Sequence, residues 1–209
     1  MLTHHLPALR RPGAQLLAIG AHADDIEIGA GGTVLQLLSV APATVDVRWV
    51  VLSATPARAE EARASAAAFC SDARSVTVDV HDLPAGRFPA EWGTLKETLQ
   101  ALAAETDPDL VLTTRPGDAH QDHRLLATMM PTAFRDHAIW GYEIPKYDGD
   151  TTQPSLYVPL DEESWTARSR SCTSTSRPSR IATGGTTTCS APSRDCGEWR
   201  AAADGPRRS

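Results

Sequence analysis

Two short stretches of the chain combine imidazole and carboxylate groups at spacings that suit a metal ion. The first comprises residues 22–25 (HADD), and the second comprises residues 118–123 (DAHQDH). His22 and Asp25 are three residues apart, which places both on one face of a first helical turn, and His123 can reach them from the second stretch. Two neutral imidazoles and one carboxylate with an open fourth position form the ligand set of a catalytic zinc, where the pKa of water falls to about 7.

The hydrophobic pattern predicts the elements that must position these stretches. Short apolar runs predict five strands, at residues 15–21, 45–52, 76–80, 109–113 and 139–144. Helical patterns lie between them, at residues 26–38, 59–70, 92–105 and 123–134. This alternation is typical of an α/β fold with a Rossmann-like, doubly wound and mostly parallel sheet that carries helices on both faces. With a strand order of 3-2-1-4-5, strands one and four are neighbours at the switch point, where such sheets bind ligands.

Ordinary structural roles also suit these residues when each stretch is taken alone. Asp24 or Asp25 by itself is a good helix N-cap, and a His-x-x-Asp or His-x-x-His pair is often solvated. Glycines 29, 31 and 32 weakly suggest a phosphate loop, but they match neither GxGxxG nor a P-loop with lysine. Two acid–imidazole loops at adjacent strand ends are much less expected by chance, and this coincidence favours a metal site.

At these residues the sequence resembles the LmbE/PIG-L-type zinc-dependent de-N-acetylases. Their signature, AHPDDxE…GG followed by HxDH, is matched by AHADDIEIGAGG (21–32) and HQDH (120–123), and the resemblance extends from about Leu16 to Leu160. It implies a Rossmann-like fold and the hydrolysis of an N-acetyl amide, commonly on a glucosamine-type sugar. Ala23 replaces a proline that is usual in the family; proline would pre-set the turn, but it supplies no ligand.

The resemblance also implies a role for each motif residue. Three zinc ligands are implied, which are His22, Asp25 and His123. Asp24 would be the general base, His120 would stabilise the oxyanion or protonate the leaving amine, and Asp122 would orient or tune His120. A site with two histidines and one aspartate also suits Fe²⁺ in the cell.

The residues that border the second motif are candidates for substrate binding by position alone. Arg115 and Asp118 could bind sugar hydroxyls, or they could be surface polar residues, and Tyr142, with Glu143 and Lys146, could contact the substrate. The expected partner is a small N-acetylated sugar or glycoconjugate, and a homo-oligomer is left open. Two rival hypotheses remain: a nucleotide-binding domain that needs no metal, and a relative of the family that binds metal but has no activity.

Composition narrows the class of protein further. The chain has 209 residues, of which 41% are hydrophobic, and this suits one soluble domain. It contains no run of eighteen apolar residues, so no membrane span is predicted, and residues 1–13 lack the apolar core of a secretory signal. A cytoplasmic protein is therefore expected. The net charge of −6 argues against a nucleic-acid partner.

The composition changes abruptly near residue 164. Residues 164–209 contain eight arginines and no lysine, leucine, valine, phenylalanine or methionine, and they cannot bury enough apolar surface to offset chain entropy. We therefore divide the chain into a deacetylase-like domain at 1–163 and a Ser/Thr/Arg-rich tail at 164–209. Residues 164–179 can be encoded by codons that, read in a shifted frame, encode an amphipathic helix. The tail is therefore predicted to be frameshifted or disordered.

Overall fold

A computed structural model describes residues 7–162 and Thr166 of the chain. Five strands are present: β1 Ala14–His22, β2 Val45–Ser53, β3 Ser75–Val80, β4 Leu110–Thr114 and β5 Ile139–Tyr142. Five α-helices connect them or extend from them: α1 Asp25–Gly29, α2 Gly31–Ser39, α3 Pro56–Phe69, α4 Trp92–Glu105 and α5 Gln121–Ala133. Except for Thr166, the predicted tail at 164–209 lies outside the described residues.

The five strands form one parallel sheet with the order β3-β2-β1-β4-β5. The predicted α/β fold and the predicted strand order are therefore confirmed. Because β1 pairs directly with β4, with Leu17 opposite Val111, the loops that follow these two strands leave the same edge of the sheet side by side. This adjacency brings the two acid–imidazole stretches together.

Helices cover both faces of the sheet, as the alternation of strands and helices predicts. On one face, Leu16 and Ala18 of β1 belong to a core with Trp49 and with helices α1 to α3. On the other face, Leu17 and Ile19 of β1 belong to a core with helices α4 and α5. Successive residues of a strand point to opposite faces, so the continuous apolar run of β1 supplies both cores.

The segment predicted as one helix at 26–38 forms two helices instead. Helix α1 ends at Gly29 and α2 begins at Gly31, with Ala30 between them at φ −125° and ψ −8°. A run of three glycines in four positions disfavours a continuous helix, because glycine has a high entropic cost there. The break separates the short helix that carries Asp25 from the longer helix that packs on the sheet.

Other element boundaries also differ from the prediction, most of them by one residue. Helix α3 begins at Pro56 rather than at residue 59, because the Thr55 side chain caps it. Helix α5 begins at Gln121 rather than at residue 123, because the side chain of His120 caps it and accepts a hydrogen bond from the Asp122 amide at 3.2 Å. Strand β5 ends at Tyr142 rather than at residue 144. Within the residues that the structure describes, no helix is long and apolar enough to cross a membrane.

Candidate metal centre

The two motifs meet at the carboxyl ends of β1 and β4. His22 is the last residue of β1, and Asp25 is the first residue of α1. His123 lies in the first turn of α5, which follows β4. The backbone amide of His22 donates a hydrogen bond to Asp25 Oδ2 at 2.9 Å, and this bond closes the tight turn between strand and helix.

Three side-chain atoms of the predicted ligands converge on one point. His22 Nδ1 lies 3.1 Å from His123 Nε2 and 3.6 Å from Asp25 Oδ2, and His123 Nε2 lies 3.3 Å from the same oxygen. Tetrahedral zinc with ligand bonds of 2.0–2.1 Å places its donors about 3.3 Å apart, so the triangle fits a single ion of this kind. Both the spacing and the chemistry of the donors suit a metal.

His120 lies beside this triangle. Its ring stacks on that of His123 with centroids 4.5 Å apart, and it meets the ring of His22 edge-on at 4.9 Å. One nitrogen of each imidazole lies within 4.8 Å of the others, so the three histidines also form a possible set of ligands. The triangle that contains Asp25 is tighter and includes a charge, and we therefore regard it as the better metal site.

The electrostatic environment keeps the acid ionised. Burial would raise the pKa of Asp25, but hydrogen bonds from His123 and His22 outweigh it and hold the pKa well below its usual range. Burial would lower the pKa values of His22 and His123, yet the carboxylates that contact them raise both. The pKa of His120 is lowered by burial and by the two neighbouring imidazoles, although the charge of Asp122 acts in the opposite direction.

Asp122 has a position that the sequence did not indicate. Its buried carboxylate accepts hydrogen bonds from the amides of Gly86 at 2.5 Å and Phe88 at 3.0 Å, and it lies 3.2 Å from His22 Nε2. It was expected to orient His120. Its side chain instead contacts His22 and the backbone of the loop after β3, and its charge acts to raise the pKa of His120.

Asp24 lies next to the cluster but outside the donor triangle. Its side chain is 55% exposed, and its carboxylate lies 3.0 Å from the guanidinium of Arg58, at the start of α3. The expected general base is therefore accessible to solvent and paired with a cation. Nothing in the sequence marked Arg58 as a neighbour of the motif.

The three residues expected to bind substrate are placed differently from one another. Asp118 is fully buried and contacts Lys146 and His123, so its carboxylate is not open to a sugar. The hydroxyl of Tyr142 is also buried and donates to the carbonyl of Ile19 at 2.8 Å. Arg115 is largely buried and lies 3.5 Å from Asp150.

A cavity of about 620 Å³ lies beside the site, between the α1–α2 junction, β5 and residues 152–158. Arg115 and Tyr142 border it, together with Trp140 and Glu143. Its size is that of a small-molecule pocket. None of the three donors of the triangle lines it.

Two of the glycines in the first motif have packing roles. A Cβ at Gly29 would overlap the ring of Tyr142, and a Cβ at Gly31 would lie 2.5 Å from Cε1 of Phe69. Close contact between helix and core therefore explains both residues without a phosphate ligand. This weakens the nucleotide-binding alternative.

Glu27 lies in the first motif but was not among the site residues predicted from the sequence. It is 6% exposed, and burial raises its pKa to about 7. Its Oε2 has no hydrogen-bond partner in the part of the chain that the structure describes. Glu27 matches the glutamate of the signature AHPDDxE, and this match is the sequence signal that could have identified it.

The fold and the site together define a doubly wound α/β protein with an imidazole–carboxylate cluster at its switch point. A family model described as PIG-L, GlcNAc-PI de-N-acetylase, matches residues 17–134. The chain belongs to this family, and its membership indicates a deacetylase. A search of curated proteins finds no significant match.

Solved structures with the same fold include several deacetylases. An N,N'-diacetylchitobiose deacetylase from Pyrococcus horikoshii is 20% identical, with a TM-score of 0.54 over 78% of this chain and 71% of that one. A deacetylase of teicoplanin biosynthesis is 14% identical, with a TM-score of 0.61 over 78% and 84%. The 4-carboxy-2-hydroxymuconate hydratase of Pseudomonas putida is 18% identical, with a TM-score of 0.61 over 76% and 77%. At these identities the likeness establishes the fold alone, and this fold also occurs in a hydratase.

Proposed function

We propose that the protein removes the acetyl group from an N-acetylglucosamine-type sugar or glycoconjugate with the help of one zinc ion. The observation that carries the proposal is the triangle of His22 Nδ1, Asp25 Oδ2 and His123 Nε2, with sides of 3.1–3.6 Å. His22, Asp25 and His123 would hold the ion, and Fe²⁺ could replace zinc there. When bound, the ion supplies a Lewis acid for the amide carbonyl and lowers the pKa of water.

The reaction consumes one water and one acetamide and yields one acetate and one amine. Asp24 takes a proton from the attacking water, which its exposed carboxylate can approach. His120 stabilises the oxyanion or protonates the leaving nitrogen as the C–N bond breaks, and in either case the proton that Asp24 takes from the water replaces the one delivered to the amine. The ring contacts of His120 with His22 and His123 support this role, because they place it at the edge of the donor triangle.

Family membership supports the choice of an N-acetyl sugar, since the family model is described as a GlcNAc-PI de-N-acetylase. Two solved neighbours are an N,N'-diacetylchitobiose deacetylase and an A40926 pseudoaglycone deacetylase. The chemistry that supports the proposal is the removal of an acetyl group from a sugar or glycoconjugate. A small substrate of this class is therefore the expected partner, and the cytoplasmic location stays a prediction.

Elemental analysis of the purified full chain tests the metal site first. We expect about one zinc per chain in the parent protein and its loss in both His22→Ala and His123→Ala. His137→Ala is the matched control, because His137 pairs with Asp107 at 3.1 Å outside the cluster and its loss should leave the zinc in place. A folded parent protein without metal would contradict the hydrolase mechanism and favour the nucleotide-binding alternative.

Acetate release then tests the chemistry. Asp24→Asn should keep the zinc and lower kcat by about 10²–10⁴-fold on an N-acetylglucosaminide, the usual contribution of a general base. Acetate and free amine should appear in equal amounts. A parent protein that holds zinc but releases acetate from none of a panel of N-acetylated sugars would support the inactive relative instead.

A further inference from the structure

We infer that Asp118 is a positioning residue: it fixes the proton of His123 on Nδ1, so that Nε2 stays free for the metal. The inference rests on the proposed metal site, and it replaces the expectation that Asp118 binds substrate. The juxtaposition that carries it is a fully buried carboxylate whose Oδ2 lies 3.2 Å from His123 Nδ1.

The imidazole of His123 has two faces with different neighbours. Its Nε2 faces the donor triangle, 3.3 Å from Asp25 Oδ2 and 3.1 Å from His22 Nδ1. Its Nδ1 is buried and forms no hydrogen bond of good geometry within the described residues, but Oδ2 of the Asp118 carboxylate lies 3.2 Å from it. A neutral imidazole carries its proton on one nitrogen only, so the position of Asp118 selects Nδ1–H and leaves the lone pair on Nε2.

The carboxylate of Asp118 is itself held in place from three sides. Lys146 Nζ lies 2.9 Å from both of its oxygens, and the amide of His120 donates to Oδ1 at 2.8 Å. Burial would raise the pKa of Asp118, but these hydrogen bonds lower it and favour the ionised acceptor. A buried carboxylate is tolerated only with such partners.

A second carboxylate links Lys146 to the loop of the motif. Lys146 Nζ lies 3.0 Å from Asp150 Oδ2, and the same oxygen accepts a hydrogen bond from the amide of Ala119 at 2.6 Å. The segment after β5 thereby fixes the backbone between Asp118 and His120. Lys146 is thus a counter-ion of the orienting carboxylate, and this use explains the lysine without a contact to substrate.

His22 has the complementary arrangement. Its Nε2 lies 3.2 Å from Asp122 Oδ2, which leaves Nδ1 for the triangle. The two histidines therefore present opposite ring nitrogens to one point, and each is oriented by its own buried carboxylate. Carboxylates that orient metal-binding histidines typically contribute about 10–100-fold to metal affinity.

Zinc competition against a chromophoric chelator tests the inference on the full chain. We expect Asp118→Asn to bind zinc about 10–100-fold more weakly than the parent. Asp109→Asn is the matched control, because Asp109 also pairs with a cation, here Arg11, and accepts a hydrogen bond from a backbone amide, but at the opposite end of β4. Its affinity for zinc should stay within about twofold of the parent value, outside the range expected for an orienting carboxylate.

Substrate kinetics distinguish the two roles of Asp118. A raised KM at saturating zinc, with the affinity for zinc unchanged, would overturn the inference and return Asp118 to substrate binding. If Asp118→Asn needs more zinc than the parent, and excess zinc restores its activity, the result supports the positioning role.

The tautomer of His123 gives a readout that needs neither metal nor activity. Long-range ¹H–¹⁵N spectra of the metal-free parent at alkaline pH, with the His123 signals assigned by their loss in His123→Ala, should show Nδ1–H. An Nε2–H tautomer would overturn the inference even if zinc binds. If the parent binds no zinc, the proposed function fails, while the tautomer still decides whether Asp118 orients His123.

Discussion

Replacing Gly29 by alanine tests whether helix α1, which begins with the candidate ligand Asp25, packs against β5 as described. A Cβ at position 29 would overlap the ring of Tyr142 and lie 2.9 Å from the carbonyl oxygen of Glu143. The ring cannot move freely, because Tyr142 is 8% exposed and its hydroxyl donates a hydrogen bond to the carbonyl of Ile19. We expect Gly29→Ala to lower the free energy of unfolding by about 1–3 kcal/mol, the usual cost of overpacking.

Gly93 provides the matched control. It lies in the first turn of α4, and no atom lies within 4 Å of a Cβ built there. Gly93→Ala should raise the free energy of unfolding by about 0.4–1 kcal/mol, because alanine restricts the unfolded chain. For a chain of this size each kcal/mol shifts Tm by roughly 2–4 °C, so Tm should fall by about 2–12 °C in Gly29→Ala and rise slightly in Gly93→Ala.

Thermal unfolding followed by far-UV circular dichroism measures both shifts, and urea unfolding gives the free energies. In a Tyr142→Ala background, where the ring is absent and only the contact with the Glu143 carbonyl oxygen remains, Gly29→Ala should cost less than in the parent, by the roughly 0.5–3 kcal/mol that couples residues in contact. A Tm for Gly29→Ala that equals or exceeds that of the parent would refute the packing explanation of this glycine. The phosphate-loop alternative would then regain its support.

Three further predictions concern the core and the site. Burial raises the pKa of Cys70 to about 12, so its thiol should resist iodoacetamide at pH 8 in the folded chain and react once urea is added. Mass spectrometry of the Cys70 peptide measures this reaction, and labelling of the folded chain would contradict the burial of Cys70. Leu99→Ala removes a fully buried side chain of α4 and should lower the free energy of unfolding, measured by urea unfolding, by about 2–5 kcal/mol. A loss below about 1 kcal/mol would mean that the side chain of Leu99 is not buried as described. Tyr142→Phe removes the hydrogen bond to Ile19 and should cost about 1–2 kcal/mol, with KM unchanged; a KM raised about tenfold would restore Tyr142 as a substrate contact.

Much of the fold could be predicted because the buried strands are short, apolar and separated by helical patterns. Strand β1 is an example: its continuous apolar run indicated burial on both faces, and it lies at the centre of the sheet. The break at Ala30 could not be predicted from hydrophobic periodicity, because the pattern of 26–38 suits one continuous helix. It reflects glycines at which Tyr142 and Phe69 leave no room for a side chain.

The candidate ligands could also be predicted, because their spacing and strand-end positions are local properties. The roles of the surrounding acids could not be predicted in the same way. Asp118 and Asp122 both belong to the second stretch, residues 118–123, yet Asp118 contacts His123 and Asp122 contacts His22. Side chains in successive turns at the start of a helix point in different directions. The packing of the loops therefore determines which imidazole each carboxylate contacts.

By itself, the sequence determined the family, the order of strands and helices, and the residue types that can hold a metal. Those properties depend on local patterns and on two motifs that the chain matches except at Ala23. The tertiary structure alone decided which nitrogen of each histidine faces the donor triangle, and that Asp118 and Tyr142 are buried rather than open to substrate. The physical reason is that burial and hydrogen-bond partners come from segments far apart in the chain, such as Lys146 beside Asp118 and Gly86 beside Asp122.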